Sequence, residues 1–177
     1  MKYFTHKFWL LSLCLLAIVL LPHYAFAQDL NELKAALSYN FTKFTQWPKH
    51  TEKEASWKIC YIGEQYRSGF QNFENKILSD KPVTIKQLKN SLTIINDCHV
   101  IYISAKNRKL LPRLFVALNQ QAILTISDMP GFVDLGGMIE IVPVDNRLKF
   151  KVNLKQIKQS QLEISSQMLN LAIDVKR

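Results

Sequence analysis

The side chains that could do chemistry are sparse along this chain. Beyond the N-terminal apolar segment they are two histidines, two cysteines and a run of carboxylates near turns: His50, His99, Cys60, Cys98, Asp128, Asp134, Glu140 and Asp145. Neither histidine has a second ligand at the H-x-x-x-H or C-x-x-C spacing of a metal site. We therefore expect no metal and interpret each histidine as an ordinary core or surface residue.

Motifs for nucleophilic or nucleotide chemistry are not found either. The chain has no G-x-S-x-G elbow and no P-loop, and Gly63 and Gly69 do not make the G-x-G-x-x-G turn of a dinucleotide site. Carboxylates near turns are mostly solvated, and sequence alone cannot place two of them across a cleft. We therefore predict no catalytic residues, no cofactor and a binding or regulatory role, with an enzyme of unrecognised site as an alternative.

The N-terminus resembles an export signal. Lys2 and Lys7 precede an uncharged apolar run from Phe8 to Leu21, and Ala25-Phe26-Ala27 carries small residues at the positions that a signal peptidase recognises. A retained anchor is the alternative, but about 14 apolar residues are fewer than the roughly 20 that span a bilayer. We expect cleavage after Ala27, a periplasmic location, and one domain at residues 28–177.

Composition and charge narrow the class of protein further. Of the 177 residues, 48% are hydrophobic and 21% charged, which excludes a disordered or low-complexity chain. The chain has 23 Lys and Arg against 14 Asp and Glu, a net charge of +9. Because an exported protein seldom meets nucleic acid, this charge favours an anionic membrane surface or an acidic partner, unless it serves solubility alone.

Export also decides how the cysteines are interpreted. Removal of the leader would leave Cys60 and Cys98 in a compartment that permits disulfides. An even pair there favours a bond between them, and two buried thiols are the alternative. Each cysteine lies in an apolar run typical of a strand, so two neighbouring strands could bring them within bonding distance.

The element that opens the mature chain is an amphipathic helix. From Asp29 to Thr45 the apolar positions recur at helical spacing, and Trp47-Pro48 ends the pattern. We expect its apolar stripe to pack on the core, although such a stripe could also dock on a partner. After it, strands and helices alternate, with strands at 57–62, 81–88, 98–104 and 122–126 and helices at 66–78 and 106–120.

The last third of the chain has a different pattern. Asp145-Asn146 is a good two-residue turn between strands at 138–144 and 147–153, and helices follow at 154–160 and 165–175, with Ser165 as N-cap of the last. The predicted fold is therefore a compact three-layer α/β domain. Its central mixed, largely parallel sheet is flanked by helices and carries a C-terminal β-hairpin.

Three stretches together resemble a known family. They are FTKFTQWP (Phe41 to Pro48), CHVIYIS (Cys98 to Ser104), and the long segment from TISDMPGFVDLGG to SSQMLNLA (Thr125 to Ala172). In order and spacing they resemble the YfiR-like family of periplasmic proteins, across nearly all of the chain after the leader. The resemblance implies a compact α/β fold and a disulfide at the positions of Cys60 and Cys98. The family's type member has a second cysteine pair near the glycine-rich turn, which this chain lacks.

The resemblance also implies a function without catalysis. A YfiR-like protein represses an inner-membrane diguanylate cyclase by binding the sensor's periplasmic domain, which lowers cyclic di-GMP and biofilm formation, and an outer-membrane lipoprotein can sequester the repressor. We expect partner contacts at Phe132, Glu140 and Phe150, where exposed apolar and acidic groups would converge. A homodimer is also possible. The alternative function is a periplasmic small-molecule-binding module with its ligand in the crevice of the α/β sheet.

Overall fold

The structure, a computed structural model, describes residues 30–49, 51, 54–89, 95–119 and 121–177. The expected leader, its cleavage site after Ala27, and His50 lie outside these residues. The described part of the chain is a mixed α/β fold built around a mostly parallel sheet. This architecture confirms the fold class predicted from the alternation of strands and helices.

The helices and strands alternate along the first two thirds of the described chain, and a hairpin follows. The helices are α1 (Leu30–Lys43), α2 (Arg67–Gln71), α3 (Leu111–Ala117), α4 (Leu154–Gln159) and α5 (Ser166–Leu171). The strands are β1 (Thr45–Gln46), β2 (Trp57–Ile62), β3 (Ile77–Leu78), β4 (Lys81–Gln87), β5 (Val100–Ile103), β6 (Leu124–Ser127), β7 (Ile139–Val144), β8 (Arg147–Asn153), β9 (Glu163–Ile164) and β10 (Asp174–Lys176). Short 3-10 segments span Glu64–Tyr66, Ile95–Asp97 and Ala105–Leu110.

The central sheet has eight strands within the described residues, in the order β10-β8-β7-β6-β5-β2-β4-β3. The inner pairs β4–β2, β2–β5, β5–β6 and β6–β7 are parallel, whereas β7–β8 and β3–β4 are antiparallel. Every residue of β5 is apolar and buried, because helices cover both faces of a parallel sheet. Val100 and Tyr102 point into one core cluster, and Ile101 and Ile103 into the other.

Each face of the sheet is covered by its own helices. On one face α1 buries Ala35, Tyr39 and Phe41, and on the other α3 buries Leu111 and Leu114. A two-stranded sheet of β1 and β9 lies outside the main sheet. The fold therefore has three layers, as expected from the sequence.

The C-terminal hairpin forms where the turn residues predicted it. Asp145 and Asn146 both have positive φ, 46° and 57°, as the two central residues of a type I′ turn require. Val144 pairs with Arg147 directly across this turn, which gives β7 and β8 their antiparallel register. Ser165 caps α5 as expected, since its hydroxyl accepts a hydrogen bond from the Met168 amide at 3.2 Å.

The predicted helices are shorter in the structure than the sequence indicated, and α3 begins only at Leu111, after the 3-10 segment Ala105–Leu110. The first ends at Lys43, before β1, and the helix predicted at 66–78 ends at Gln71, because Ile77–Leu78 pairs with β4 as an antiparallel strand. The helix predicted at 165–175 ends at Leu171, and Asp174–Lys176 adds in parallel to the open edge of β8. β10 is formed by hydrogen bonding to a distant strand edge, which local periodicity does not report, whereas β3 pairs with β4 across a two-residue turn at Ser79 and Asp80, both of positive φ.

Candidate functional site

An apolar groove runs between the first and last helices of the described chain. It encloses about 750 Å³ and is formed by side chains of α1, its C-terminal turn, β8 and α5. The lining residues are Leu37, Asn40, Phe41, Phe44, Phe150, Gln167, Met168, Asn170 and Leu171. We call this feature the α1–α5 groove.

Backbone hydrogen bonds between distant parts of the chain position the two sides of the groove. Thr45 and Gln46 pair with Ile164 and Glu163, so the C-terminal end of α1 is joined to the segment that precedes α5. The Ser165 amide also donates to the Phe44 carbonyl at 2.9 Å. These bonds place the C-terminal end of α1 beside the start of α5.

The floor of the groove is buried and its rims are exposed. Phe41 and Phe150 pack edge to face with ring centroids 4.9 Å apart, and Met168 is buried beside them. On the rims, Phe44 is 38% exposed and Leu171 is 69% exposed. Exposed apolar surface around a concave floor is typical of a site that binds apolar groups of another molecule.

Sequence reasoning placed the apolar stripe of α1 entirely in the core, with partner docking as the alternative. The structure divides that stripe, because Phe41 is buried on the floor of the groove whereas Phe44 is exposed on its rim. Leu171 was assigned to a helix but not to a site. The sequence signal for this site was the long apolar stripe of the first helix, which has more apolar positions than one buried helix face requires.

Two of the residues expected to contact a partner are interior instead. Phe132 is 0% exposed and Glu140 is 1% exposed. The Glu140 carboxylate accepts hydrogen bonds from the amides of Gly131 at 3.1 Å and Val133 at 3.3 Å, so it holds the turn that follows β6. A Cβ at Gly137 would lie 2.2 Å from the Phe132 ring, which shows how closely the backbone covers that ring. The exposure expected of these two residues was therefore wrong.

Phe150 is also mostly buried, at 8% exposure, but it has a different environment. Its ring contributes to the floor of the α1–α5 groove, against Phe41. The backbone carbonyl of Phe150 accepts a hydrogen bond from the Ile173 amide at 2.9 Å, which ties the segment after α5 to β8. Of the three expected contact residues, Phe150 alone lines the groove, which is otherwise formed by residues from elsewhere in the sequence.

The crevice at the carboxyl ends of the parallel strands is closed by the protein's own side chains. In sheets of this kind, ligands bind where the strand order reverses, here between β2 and β5. Ser104 follows β5 and accepts a hydrogen bond from the Gln65 side chain at 2.7 Å. Gly63 follows β2 with φ of 127°, and a Cβ there would lie 2.9 Å from the Ser104 Cβ. The reversal point is therefore packed shut.

A polar network lies beside this closed crevice, at the end of β6. Asp128 Oδ2 accepts from Lys34 Nζ at 2.7 Å and from the Tyr66 hydroxyl at 2.6 Å, and Oδ1 accepts from the Ala105 amide at 2.8 Å. Burial raises the pKa of Asp128, but the hydrogen bonds from Lys34, Tyr66 and Ala105 outweigh it and hold that pKa below its usual value. The carboxylate is thus committed to internal bonds that pin α1 to the sheet.

The cysteines are joined as the sequence led us to expect. Cys60 in β2 and Cys98, just before β5, form a disulfide across neighbouring strands, with Cα atoms 5.9 Å apart. Both residues are buried in the core cluster under α3. The bond therefore links two central strands and is not presented to solvent.

The described residues contain neither a cluster of metal ligands nor a helix that could span a membrane. In the part of the chain that the structure describes, no three His, Cys, Asp or Glu side chains come together as metal ligands. Within those same residues, no helix combines the length and apolar character needed to cross a bilayer.

Comparisons with known proteins agree with the fold and supply a family. The model of the family described as YfiR/HmsC-like, DUF4154, matches residues 31–173. A comparison with curated proteins gives no match. Among solved structures, an ABC domain from Streptococcus pneumonia, in complex with L-Trp, superposes with a TM-score of 0.53 at 11% identity. The match covers 82% of this chain and 60% of that structure, and at this identity it shows the fold alone.

Proposed function

The chain belongs to the YfiR/HmsC-like family, and we propose that it is a periplasmic repressor that binds the periplasmic domain of an inner-membrane diguanylate cyclase. At the level of the family, membership supports a periplasmic, non-catalytic regulator of such a cyclase. The finer proposal is that binding holds the cyclase inactive and so lowers cyclic di-GMP and biofilm formation. An outer-membrane lipoprotein would relieve the repression by sequestering the protein, and the leader would be cleaved after Ala27.

Repression of this kind needs a binding surface and no catalytic group. A protein that binds one conformation of the sensor more tightly than the other shifts the sensor toward the bound conformation. To move an equilibrium from mostly active to mostly inactive, the affinity ratio must be large, about 10⁴-fold for a shift from 1:99 to 99:1. The repressor therefore needs an interface with at least a few strongly contributing contacts.

The observation that carries the proposal is the α1–α5 groove. Its floor of Phe41, Phe150 and Met168 is preformed, and its rims of Phe44 and Leu171 are already exposed. In protein interfaces, a few side chains packed into well-formed, desolvated pockets contribute most of the binding free energy. We assign the groove to the sensor's periplasmic domain, which would insert apolar side chains between the two helices.

The assignment is tested with charged substitutions on the rims. Phe44→Asp and Leu171→Asp should each weaken binding to the sensor's periplasmic domain at least about tenfold, because a carboxylate at an apolar interface is desolvated without a partner. Ile77→Asp is the matched control, since Ile77 is an exposed apolar residue on β3, away from the groove. Calorimetric titration of protein purified from the periplasm gives the affinities, and an intact mass beginning at Gln28 checks the cleavage.

The same experiment can overturn the proposal. Wild-type protein that does not bind the sensor domain would refute the repressor function. Binding that survives both rim substitutions, or that falls equally with Ile77→Asp, would place the contact elsewhere on the surface. Circular dichroism of each variant shows whether the fold is retained, so a loss of binding is not mistaken for unfolding.

A further inference from the structure

A cluster of exposed cations lies on the face of the sheet opposite the groove. The 3-10 segment Ala105–Leu110 and α3 carry four basic residues within one short stretch: Lys106, Arg108, Lys109 and Arg113. All four side chains are exposed. The sequence has no Asp or Glu between Asp97 and Asp128, so no acidic neighbour along the chain offsets them. We call this feature the α3 basic patch.

The charge of the α3 basic patch is not neutralised across space either. The ion pairs found among the described residues do not involve any of these four cations. Arg108 donates to the Pro130 carbonyl at 3.3 Å, a contact that leaves its charge in place. The acids that follow β6 are already paired, Asp128 with Lys34 at 2.7 Å and Asp134 with Lys176 at 3.0 Å.

The outward side of α3 combines these cations with an apolar side chain. Leu111 and Leu114 face the core, which turns Arg113 and Val116, three residues apart, toward solvent. Val116 is 79% exposed, the most exposed of the large apolar side chains described. Exposed cations beside an exposed apolar side chain are typical of protein surfaces that bind anionic membranes.

We propose that the α3 basic patch binds the anionic headgroups of a phospholipid surface. The attraction is electrostatic, because Leu111 and Leu114 of α3 are buried in the protein and Val116 is the large apolar side chain of α3 that is exposed. This function goes beyond repression, since it needs no protein partner. Because α1 and α3 cover opposite faces of the sheet, lipid binding leaves the α1–α5 groove accessible to a sensor above the membrane.

The test measures binding to vesicles of phosphatidylcholine with and without phosphatidylglycerol. Wild-type protein should sediment with the vesicles that contain phosphatidylglycerol and not with phosphatidylcholine alone. Lys109→Gln/Arg113→Gln should weaken that binding about 25-fold, since each Lys or Arg near an anionic surface contributes about fivefold. Binding should also fall steeply as NaCl rises from about 0.05 M to about 0.5 M, because salt screens the attraction.

A matched double variant separates the patch from net charge. Lys43→Gln/Lys76→Gln removes the same charge from exposed positions over the Tyr39 and Phe73 rings, which belong to the cluster on the other face of the sheet. It should change vesicle binding by less than about twofold, because charges farther than a Debye length from the surface are screened. All these positions are exposed, so circular dichroism should show an unchanged fold.

Several outcomes would overturn the proposal. One is that wild-type protein does not bind vesicles containing phosphatidylglycerol at low salt. This outcome counts even if the protein binds an acidic protein. Another is an equal loss in the two double variants, which would mean that net charge alone drives adsorption. Displacement by soluble glycerol phosphate at the same phosphate concentration would assign the patch to a small anion and not to a surface. None of these results depends on the cyclase, so they are independent of the repressor proposal.

Discussion

Burial sets the pKa of the His99 side chain. It lies just before β5, and its Nδ1 accepts a hydrogen bond from the Lys58 amide at 2.9 Å, so the neutral ring carries its proton on Nε2. The ring packs edge to face on Trp57, with centroids 4.9 Å apart. Burial lowers the pKa of His99 to about 4, against the attraction of Glu54 and with help from Lys58 and Lys81.

This shift predicts a loss of stability in mild acid. The pKa of His99 is about 4 in the fold and about 6.5 when unfolded, so the fold favours the neutral ring. The stabilisation of the fold by the neutral His99 ring is complete above pH 6.5. It is lost as the pH falls toward 4, which lowers the free energy of unfolding by roughly 3 kcal/mol in total. Urea unfolding between pH 7 and 4 measures the effect, and His99→Asn, which keeps an acceptor for the Lys58 amide, should flatten the slope.

Glu54→Gln is the control at this site. The hydrogen bond from Lys58 lowers the pKa of the Glu54 carboxyl, so Glu54 also loses stabilising contacts in acid. Glu54 is exposed, however, and an exposed pair contributes little. A pH slope that persists in His99→Asn but vanishes in Glu54→Gln would contradict the assignment to the imidazole.

At the scale of elements, Asp128 connects the first helix to the sheet. Lys34 lies in α1, Tyr66 precedes α2 and Ala105 follows β5, and all three donate to the same carboxylate at the end of β6. Both side chains of the Lys34–Asp128 pair are largely buried. Removal of one partner would leave the other charge buried and unpaired, which costs more than the pair itself contributes.

A double-mutant cycle tests this connection. We expect Asp128→Asn to lower the free energy of unfolding by about 3 kcal/mol, and Lys34→Met to lower it by less, because Asp128 keeps two other donors. The double variant should be more stable than the sum of the two losses predicts, since no unpaired charge remains. Additive losses in chemical denaturation would mean that the pair is not energetically coupled and that other contacts hold α1 in place.

The whole molecule is organised around two buried layers and the covalent bond between central strands. The Cys60–Cys98 bond closes a loop with a sequence separation of 38 residues, which contains α2, β3 and β4. A crosslink of this span restricts the unfolded chain far more than the folded one. The bond therefore acts on overall stability, whereas the α1–α5 groove and the α3 basic patch lie on opposite faces outside it.

We expect the disulfide-bonded wild-type protein to be much more stable than a variant without the two cysteines. Cys60→Ala/Cys98→Ala should lower the free energy of unfolding by about 3 kcal/mol, out of the 5–15 kcal/mol typical of a domain. Guanidinium unfolding of both proteins without reductant measures the difference. Wild-type protein treated with dithiothreitol is the control and should approach the variant. Equal midpoints in all three samples would mean that the crosslink does not stabilise the fold.

Local features of the fold were predictable because neighbours along the chain decide them. The wholly apolar β5, the Asp145-Asn146 turn and the Ser165 cap each depend on residues within a few positions, and all three are found. Strand β10 was predicted as helix because its partner is the distant edge of β8, and β3 because the two-residue turn at Ser79 and Asp80, which joins it to β4, was not recognised. Segments this short are too brief to show a period of their own.

The amino-acid sequence by itself determined the α/β class, the family and the pairing of Cys60 with Cys98. Only the tertiary structure decided which side chains reach solvent: Phe132 and Glu140 are covered by their own turn, whereas Phe44 and Leu171 come from opposite ends of the described chain to border one groove. The physical reason is that periodicity along a chain reports which face of an element is apolar, while exposure depends on what the rest of the chain places against that face.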